Sequence, residues 1–592
     1  MSRFAHPLPF GAELLPTGGT RFRLWAPAAE TVLLEIKDQP PLPMLAQDGW
    51  HEAMAACGPG TRYRYRLPDG LAVPDPASRL QDGGVHGWSV VVDPRAHEWH
   101  LDWPGRPWHE AVIEEVHVGL AGGFMKLAER LEDSRELGFT AVELMPLAAF
   151  PGERNWGYDG VLPFAPAASY GSPGELKTLI DRAHALGLMV LLDVVYNHFG
   201  PDGNYLHAYA PQFFDAAVHT PWGAAIDFKR GEVEAFFLHN ALYWLNEYRF
   251  DGLRFDATHA IAPQNALLEL ARRIRAGVPA GRQVHLVVEH EGNRASLLGG
   301  GERFDAQWAD DFHHCVHRLL TGEDEGYYRD FPDPAALLAR CLADGFAWQG
   351  ERTPRGRARG EPSAALPTTA FVICLQNHDQ VGNRAMGERL STLANADALR
   401  AAEALLLLTP QIPLALMGEA DGSRAPFLYF TDHQPELAKL VRDGRRAEFA
   451  GFAGFADPRR RDQIPDPNAE ATFLLSVPDA NDAEPTTRAA SREGARRTWR
   501  LLLTLRRRHI VPRIPGTRSL GAWPLGESGV LARWGMGDAS ELVIACNLGP
   551  SALPIEAVDG PMLFETHAGD AEAVREGRLP ARSTVAFLLE RT

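Results

Sequence analysis

Short apolar runs, most of them followed at once by polar residues, recur through the middle of the chain. Eight read as strands: Val112 to Val118, Thr140 to Leu144, Met189 to Val195, Asp251 to Phe255, Val284 to Glu289, Phe304 to Gln307, Phe371 to Gln376 and Ile412 to Met417. Between them lie stretches with helical spacing, among them Phe124 to Leu137, Pro173 to Leu186, Glu232 to Tyr248, Gln264 to Ala276 and Asn395 to Leu408. Each can act as a crossover. Eight such β-α units predict an α/β fold built on a (β/α)8 TIM barrel, whose working residues sit at the C-terminal strand ends.

The flanks have a different rhythm. Thr20 to Trp25 and Thr31 to Ile36 are short runs parted by Pro27, and Arg62 to Leu67 alternates with period two before Pro68-Asp69-Gly70. Close turn signals predict a small N-terminal β-sandwich over 1–105, ending in the Pro- and Trp-rich stretch from Asp93 to Trp108. The catalytic barrel is expected over 106–508, its last helix from Ser491 to Arg508 carrying Leu501, Leu502 and Leu505 on one side. Gly529 to Trp534, Glu541 to Cys546 and Thr584 to Leu589 then predict a C-terminal β-sandwich over 509–592. Two interruptions stand out. Loop 197–230 is rich in Gly, Pro and aromatics, including Pro221-Trp222-Gly223, and is expected at the rim of a binding cleft. Gln349 to Pro367 carries Arg352, Arg355, Arg357 and Arg359 and reads as a mobile, solvated loop.

Composition narrows the partners. At 592 residues, 45% hydrophobic and 23% charged, the chain has the make-up of a folded soluble protein of several domains. Its formal charge of -17 argues against nucleic acid and anionic membrane as partners. Cys57, Cys315, Cys341, Cys374 and Cys546 are scattered and odd in number, which points to a reducing compartment. The first residues lack an apolar core, and the most apolar run, Ala404 to Met417, is broken by Pro410 and Pro413. A cytoplasmic, unanchored protein is expected.

The chemistry gathers at four strand ends: Asp193 to His198, Arg254 to His259, Glu289-His290-Glu291 and Gln376 to Asp379. Arg254 and Asp256 are two residues apart on one strand, so both side chains leave it on the same face. A barrel would bring Asp256, Glu289 and Asp379 together beside Arg254, His198 and His378. Acids so gathered suit glycosidic-bond cleavage, which needs one protonated carboxyl and one ionised carboxylate. Arg254 is expected to depress the pKa of Asp256, and the dry run Leu286-Val287-Val288 to raise that of Glu289. Plainer roles compete at several positions. Asp193 reads equally as a brace for Arg254; His259, His290, His313 and His314 as satisfied polar residues; and Asp202-Gly203-Asn204 as a turn rather than a calcium ligand. His313 and His317 are spaced to hold zinc on one helix face but lack a third ligand, so no metal is assigned. Trp25, Trp88, Trp99, Trp103 and Trp108 are expected in packing rather than as a sugar platform.

Asp193-Val194-Val195-Tyr196-Asn197-His198, Gly252-Leu253-Arg254-Phe255-Asp256, Glu289 and Asn377-His378-Asp379 resemble the four signature regions of the α-amylase superfamily of retaining glycoside hydrolases. The resemblance implies Asp256 as nucleophile, Glu289 as general acid/base and Asp379 as stabiliser. It implies substrate contacts from His198, Arg254 and His378, with Tyr158 stacking beneath the reacting ring; His259 is counted with them. Further stretches extend the resemblance to the maltooligosyltrehalose trehalohydrolase family. These include Arg23 to Pro27, Trp156 to Gly160, His198 to Leu206, Asp310 to His314, Gly326-Tyr327-Tyr328 and Pro426 to His433. That family implies no cofactor, release of trehalose from a maltooligosyltrehalose or related α-glucan, and functional coupling to a maltooligosyltrehalose synthase. Ala420-Asp421-Gly422 departs from the family, where an acidic and an aromatic residue are usual, as does Leu120-Ala121. Two alternatives stay open: another superfamily enzyme such as a branching or debranching enzyme, and a non-catalytic glucan-binding barrel.

Overall fold

The computed structural model describes residues 2–220, 223–478 and 485–590, so Pro221 and Trp222 of the long loop lie outside the described residues. Eight parallel strands close a barrel: Ile113–Val116, Ala141–Leu144, Met189–Val194, Gly252–Phe255, His285–Val288, Ala306–Trp308, Phe371–Cys374 and Ile412–Leu416. All eight runs expected from the sequence are present, the barrel closing where Ile113 pairs with both Ala141 and Leu414.

Alternate residues of each strand face inward, and the interior is graded. Its lower part is dry, with Ile113, Ala141, Met189, Leu191, Val287, Ala306, Val372 and Leu414 in one apolar cluster. Trp103 and Trp108 pack against that cluster and anchor by their indole N–H groups to Asp251 Oδ1 and the Thr369 carbonyl, each at 2.8 Å. Trp99 is 1% exposed. These indoles therefore serve packing, as expected. Towards the C-terminal ends the inward positions turn polar. Glu115 stands opposite Glu143 on the first two strands, and Asp193 opposite Arg254 on the third and fourth.

The N-terminal strands form a four-stranded and a six-stranded sheet. Between them lie Phe22, Leu24, Tyr63 and Tyr65, the two phenols bonding buried Asp75 at 2.7 and 3.2 Å. At the other end, a five-stranded sheet lays one face (Val530, Ala532, Trp534, Leu542, Ile544) into the main core. Thr584 Oγ1 donates to the Ala401 carbonyl at 2.7 Å. Its other face is covered by a two-stranded ribbon and the helix Asp570–Arg575. The second layer is thin because the barrel already buries the first.

Two expectations need correction. The helix Pro485–Leu505 buries Trp499, Leu502 and Leu503, whereas Leu501 is 51% exposed. The loop 349–367 is not free in solvent: Arg359 forms an ion pair with fully buried Asp311 at 2.7 Å, and Arg355 one with Asp330 at 2.9 Å. Alternation along the loop could not reveal partners so distant in sequence. Loop 197–230, which begins at the site with His198, also ties the barrel to the N-terminal sheets: Ala28 N–H donates to the Tyr209 carbonyl at 3.0 Å, and Phe213 packs edge-on against Trp25.

Candidate functional site

The site is assembled around Arg254. Its guanidinium, 1% exposed, lies 4.1 Å from the Trp308 ring centroid. Nη1 donates to Asp193 Oδ2 at 2.6 Å and to Asp256 Oδ1 at 3.0 Å, and Nη2 donates to Glu289 Oε2 at 2.7 Å. A cation this deep is tolerable only because three acids and an aromatic face replace its water. The carboxyls of the fourth and fifth strand ends are consequently held side by side on one planar fork.

Local backbone completes the grip on Glu289. Ala257 sits in the left-handed region at φ 40°, ψ 46°, and its N–H donates to Glu289 Oε2 at 2.9 Å. Such a conformation costs a non-glycine residue about 1 kcal/mol or more, which the fixed acid offsets. Thr258 clamps the Glu289 carbonyl with its N–H and hydroxyl.

The charges fall in the opposite order from that expected. Burial first, then the neighbouring Glu289 charge, push Asp256 well above the usual carboxylate range despite Arg254. Glu289 is brought below its ordinary value: burial works against this, but Arg254 and the Ala257 amide outweigh it. Asp256 therefore holds a proton more readily than Glu289 does.

On the opposite wall, Gly157 holds φ 106° with room for no side chain, since a Cβ would fall 2.3 Å from the Pro146 carbonyl oxygen. The turn delivers Tyr158, whose hydroxyl donates to Asp193 Oδ2 at 2.6 Å. His378 stacks on the Tyr158 ring at 5.1 Å and 20°, and its Nε2 meets the hydroxyl at 2.8 Å. Burial disfavours charge on His378, but Glu115 overcomes it and raises the pKa to about 9. Asp379 is half-buried at the start of the short helix His378–Gly382 and accepts from Asn383 Nδ2 at 2.6 Å. Burial raises its pKa against the pull of His378. His198, with a pKa lowered by burial to about 4, bonds the Tyr158 carbonyl at 3.0 Å.

Tyr158, Arg254, Asp256, Glu289 and His378 thus lie in one hydrogen-bonded network, with His198 and Asp379 at its edges. His259 does not join it: the ring is exposed on the rim, 6.0 Å from that of His290. Two residues of the site were given no role there by the sequence. Glu115 grips His378, and Asp310, beyond the sixth strand, bonds Gln380 Nε2 at 3.1 Å. Burial and the nearby Glu289 and Asp379 raise Asp310 to about 7. An acidic pair at a strand end, Asp310-Asp311, was the available signal.

The weaker candidates are occupied structurally. His313 meets the Leu375 carbonyl and the Tyr328 hydroxyl, and His317 meets Glu323. Among the described residues no group of three or more potential ligands is placed to hold a metal. Asp202 pairs with His86, and Asn204 Oδ1 accepts from Leu206 N–H. Asp421 is tied to Arg492 and Arg496, so the divergent turn braces a helix. A cavity of about 490 Å³ adjoins Asp379 through Asn383, lined by Tyr327, Arg384, Phe449, Phe452 and Phe455. Glu323 holds Arg384 on its wall at 2.6 and 3.0 Å.

Comparison with known proteins agrees with this architecture. Residues 110–212 match the model of the α-amylase catalytic domain, and residues 517–586 that of a domain of unknown function, DUF3459. A malto-oligosyltrehalose trehalohydrolase of Deinococcus radiodurans is 42% identical over 85% of this chain and 82% of its own length. One of Saccharolobus solfataricus is 39% identical over 79% and 82%. A Salmonella typhimurium protein, solved under a provisional α-amylase name, superposes with a TM-score of 0.92 at 41% identity, covering 99% of this chain and 100% of that one.

Proposed function

This chain belongs to the malto-oligosyltrehalose trehalohydrolase family of α-amylase-type glycoside hydrolases, and from that premise we propose that it hydrolyses the α-1,4 bond beside the terminal trehalose unit of a maltooligosyltrehalose. The observation that carries the reading is the single guanidinium of Arg254 holding Asp256 and Glu289 together at adjacent strand ends. Close carboxyls suit double displacement with retention.

Asp256 attacks the anomeric carbon of the glucosyl unit as its bond to the trehalose 4-oxygen breaks, and Glu289 gives that oxygen its proton. Trehalose departs, leaving the maltooligosyl chain esterified to Asp256. Glu289, now ionised, takes a proton from water, which attacks the same carbon and frees the acid. For this step the proton has to reside on Glu289 with Asp256 ionised, an arrangement that loosening of Glu289 from Arg254 by the bound sugar would favour. Tyr158 supports the ring, His198, His378 and Arg254 surround it, and Asp379 holds its hydroxyls. His259 remains a rim contact for a longer chain. The cavity beside Asp379 is the place for the departing disaccharide, having aromatic walls for sugar faces and Arg384 and Glu323 for hydroxyls.

The domain limits 1–105, 106–508 and 509–592 are part of this reading, as is a cytoplasmic setting. Among the described residues no helix is long and apolar enough to cross a membrane, and all five cysteines are free, which suits reducing conditions. A synthase that builds the maltooligosyltrehalose would supply the substrate. Incubation with maltooligosyltrehalose and with plain maltooligosaccharide of equal length tests the activity. Trehalose release with the α-anomer formed first is expected; faster cleavage or transfer of the plain chain without trehalose would overturn the reading in favour of a branching or debranching enzyme.

A further inference from the structure

Glu115 belongs to the first barrel strand, is 1% exposed and cannot reach a bond held between Asp256 and Glu289. Yet both of its carboxylate oxygens are spent on one residue of the site. Oε2 accepts the backbone N–H of His378 at 2.9 Å, and Oε1 accepts the ring Nδ1–H of the same residue. Two bonds from one carboxylate fix the ring in both position and rotation, because the backbone bond sets where the carboxylate lies and the ring must turn to meet the other oxygen.

The consequence runs outward. With Nδ1–H donated to Glu115, a His378 that keeps its second proton presents Nε2–H to the Tyr158 hydroxyl at 2.8 Å, and that hydroxyl donates to Asp193 Oδ2 at 2.6 Å. Asp193 in turn holds Arg254 Nη1 at 2.6 Å. A continuous chain therefore links Glu115 to the guanidinium that carries both reacting acids. We infer that Glu115 is a positioning residue for the glycosidic reaction: it locks the His378 ring as a cationic donor and, through it, seats Tyr158 and Arg254.

The surroundings explain why the lock is needed. Facing His378 are Glu115 and His117 from the first strand, Glu143 from the second, Tyr158 from the loop after it, and Asp193 from the third. Arg254 and Asp256 face it from the fourth strand, Glu289 from the fifth, and Asp379 stands next to it on its own helix. Arg254 opposes a second positive charge, as burial does, and Glu115 is the acid bonded directly to the ring. Glu143, its neighbour in register, is pushed well above the ordinary carboxyl range by burial and makes no hydrogen bond to the ring.

The inference rests on the catalytic reading above, and the two can fail separately. Glu115→Gln keeps an acceptor for the His378 amide but removes the charge, so His378 should lose its proton at a lower pH. Measured on maltooligosyltrehalose, kcat/KM of Glu115→Gln should show its alkaline limb moved down by about one pH unit or more, with the loss smallest in acid. Glu115→Asp, which withdraws the charge by one methylene, should move the limb in the same direction and provides the test if the glutamine variant does not fold. In a His378→Asn background Glu115→Gln should change kcat/KM by less than about twofold, because its route into the site is already cut. A uniform loss at every pH, or full additivity with His378→Asn, would overturn the inference. Absence of trehalose release by the unaltered enzyme would instead overturn the catalytic reading.

Discussion

Arg254 donates to Glu289 at 2.7 Å and to Asp256 at 3.0 Å, so the stronger claim on the guanidinium belongs to the acid proposed as the proton donor. Removing the Glu289 charge should therefore affect Asp256 twice, by deleting a like charge and by freeing the fork. In Glu289→Gln the acid limb of kcat/KM should move to lower pH, as the nucleophile ionises more readily. The same variant should lose roughly 10³-fold or more on maltooligosyltrehalose, about 4 kcal/mol of barrier, and far less on an aryl maltooligoside whose phenol leaves without acid help. Equal losses on both substrates would remove Glu289 from the role of acid.

Asp256→Asn should abolish turnover by a comparable factor on either substrate, since no leaving group replaces a nucleophile. Single-turnover mass spectrometry of Glu289→Gln with the aryl substrate should trap a maltooligosyl ester on Asp256. Label found on Asp193 or Asp379 would reassign the nucleophile.

Much of this site was legible. The barrel strands stood out because each is a short apolar run, and the acids because an apolar strand ending in Arg-x-Asp or Glu-His-Glu has no packing reason to do so. What stayed hidden depends on distance across the fold. Glu115 lies inside the strand Ile113–Val116 rather than at its end, and only closure of the barrel shows that it reaches His378, 263 positions away. The order of the Asp256 and Glu289 pKa values turns on which oxygen the Arg254 fork approaches and on the Ala257 amide, neither encoded in local pattern. Arg359 reads as solvated because Asp311, its partner, lies in a helix far from it along the chain.

That last pair yields a stability test. Asp311 is fully buried and also accepts from Asn293 Nδ2 and the Ala347 amide, so Arg359→Leu leaves a buried carboxylate without its cation. Breaking a pair of this kind costs ~3–5 kcal/mol. Urea unfolding of Arg359→Leu should show such a loss, with Arg357→Leu, at an exposed position, within about 0.5 kcal/mol of the parent. Equal midpoints for the two would return the segment to the status of a solvated loop.

Buried groups with raised pKa values weaken the fold as pH rises, His378 and Glu419 among them. His378 has its pKa raised from 6.5 to about 9, and Glu419 from 4.5 to about 8. Each binds its proton more tightly folded than unfolded, so each favours the folded state below its unfolded pKa relative to higher pH. The benefit of His378 is lost as pH rises from 6.5 to 9, and that of Glu419 from 4.5 to 8. Stability should therefore decline from near neutrality to pH 9, with a slope of up to about 1.4 kcal/mol per pH unit for each group. Glu419→Gln should flatten the fall between pH 6.5 and 8 in thermal melts, and an unchanged slope would show that the carboxyl is not buried as a neutral acid.

Preference for a trehalose end should lie in the cavity beside Asp379 rather than in the acids, which any α-glucan would meet equally. Phe452 and Tyr327 line that cavity away from the Arg254 network, so truncating either removes sugar contact without touching the reacting groups. An aromatic platform is worth about 0.5–1.5 kcal/mol beyond its buried area. Phe452→Ala and Tyr327→Ala should each lower kcat/KM for maltooligosyltrehalose by roughly tenfold, ~1.4 kcal/mol, while leaving that for a maltooligosaccharide with a single glucose beyond the cut nearly unchanged. The ratio of the two activities isolates the second sugar of the departing unit, because every step at the anomeric carbon is common to both substrates. A parallel fall on both would mean that the cavity holds the fold rather than the disaccharide.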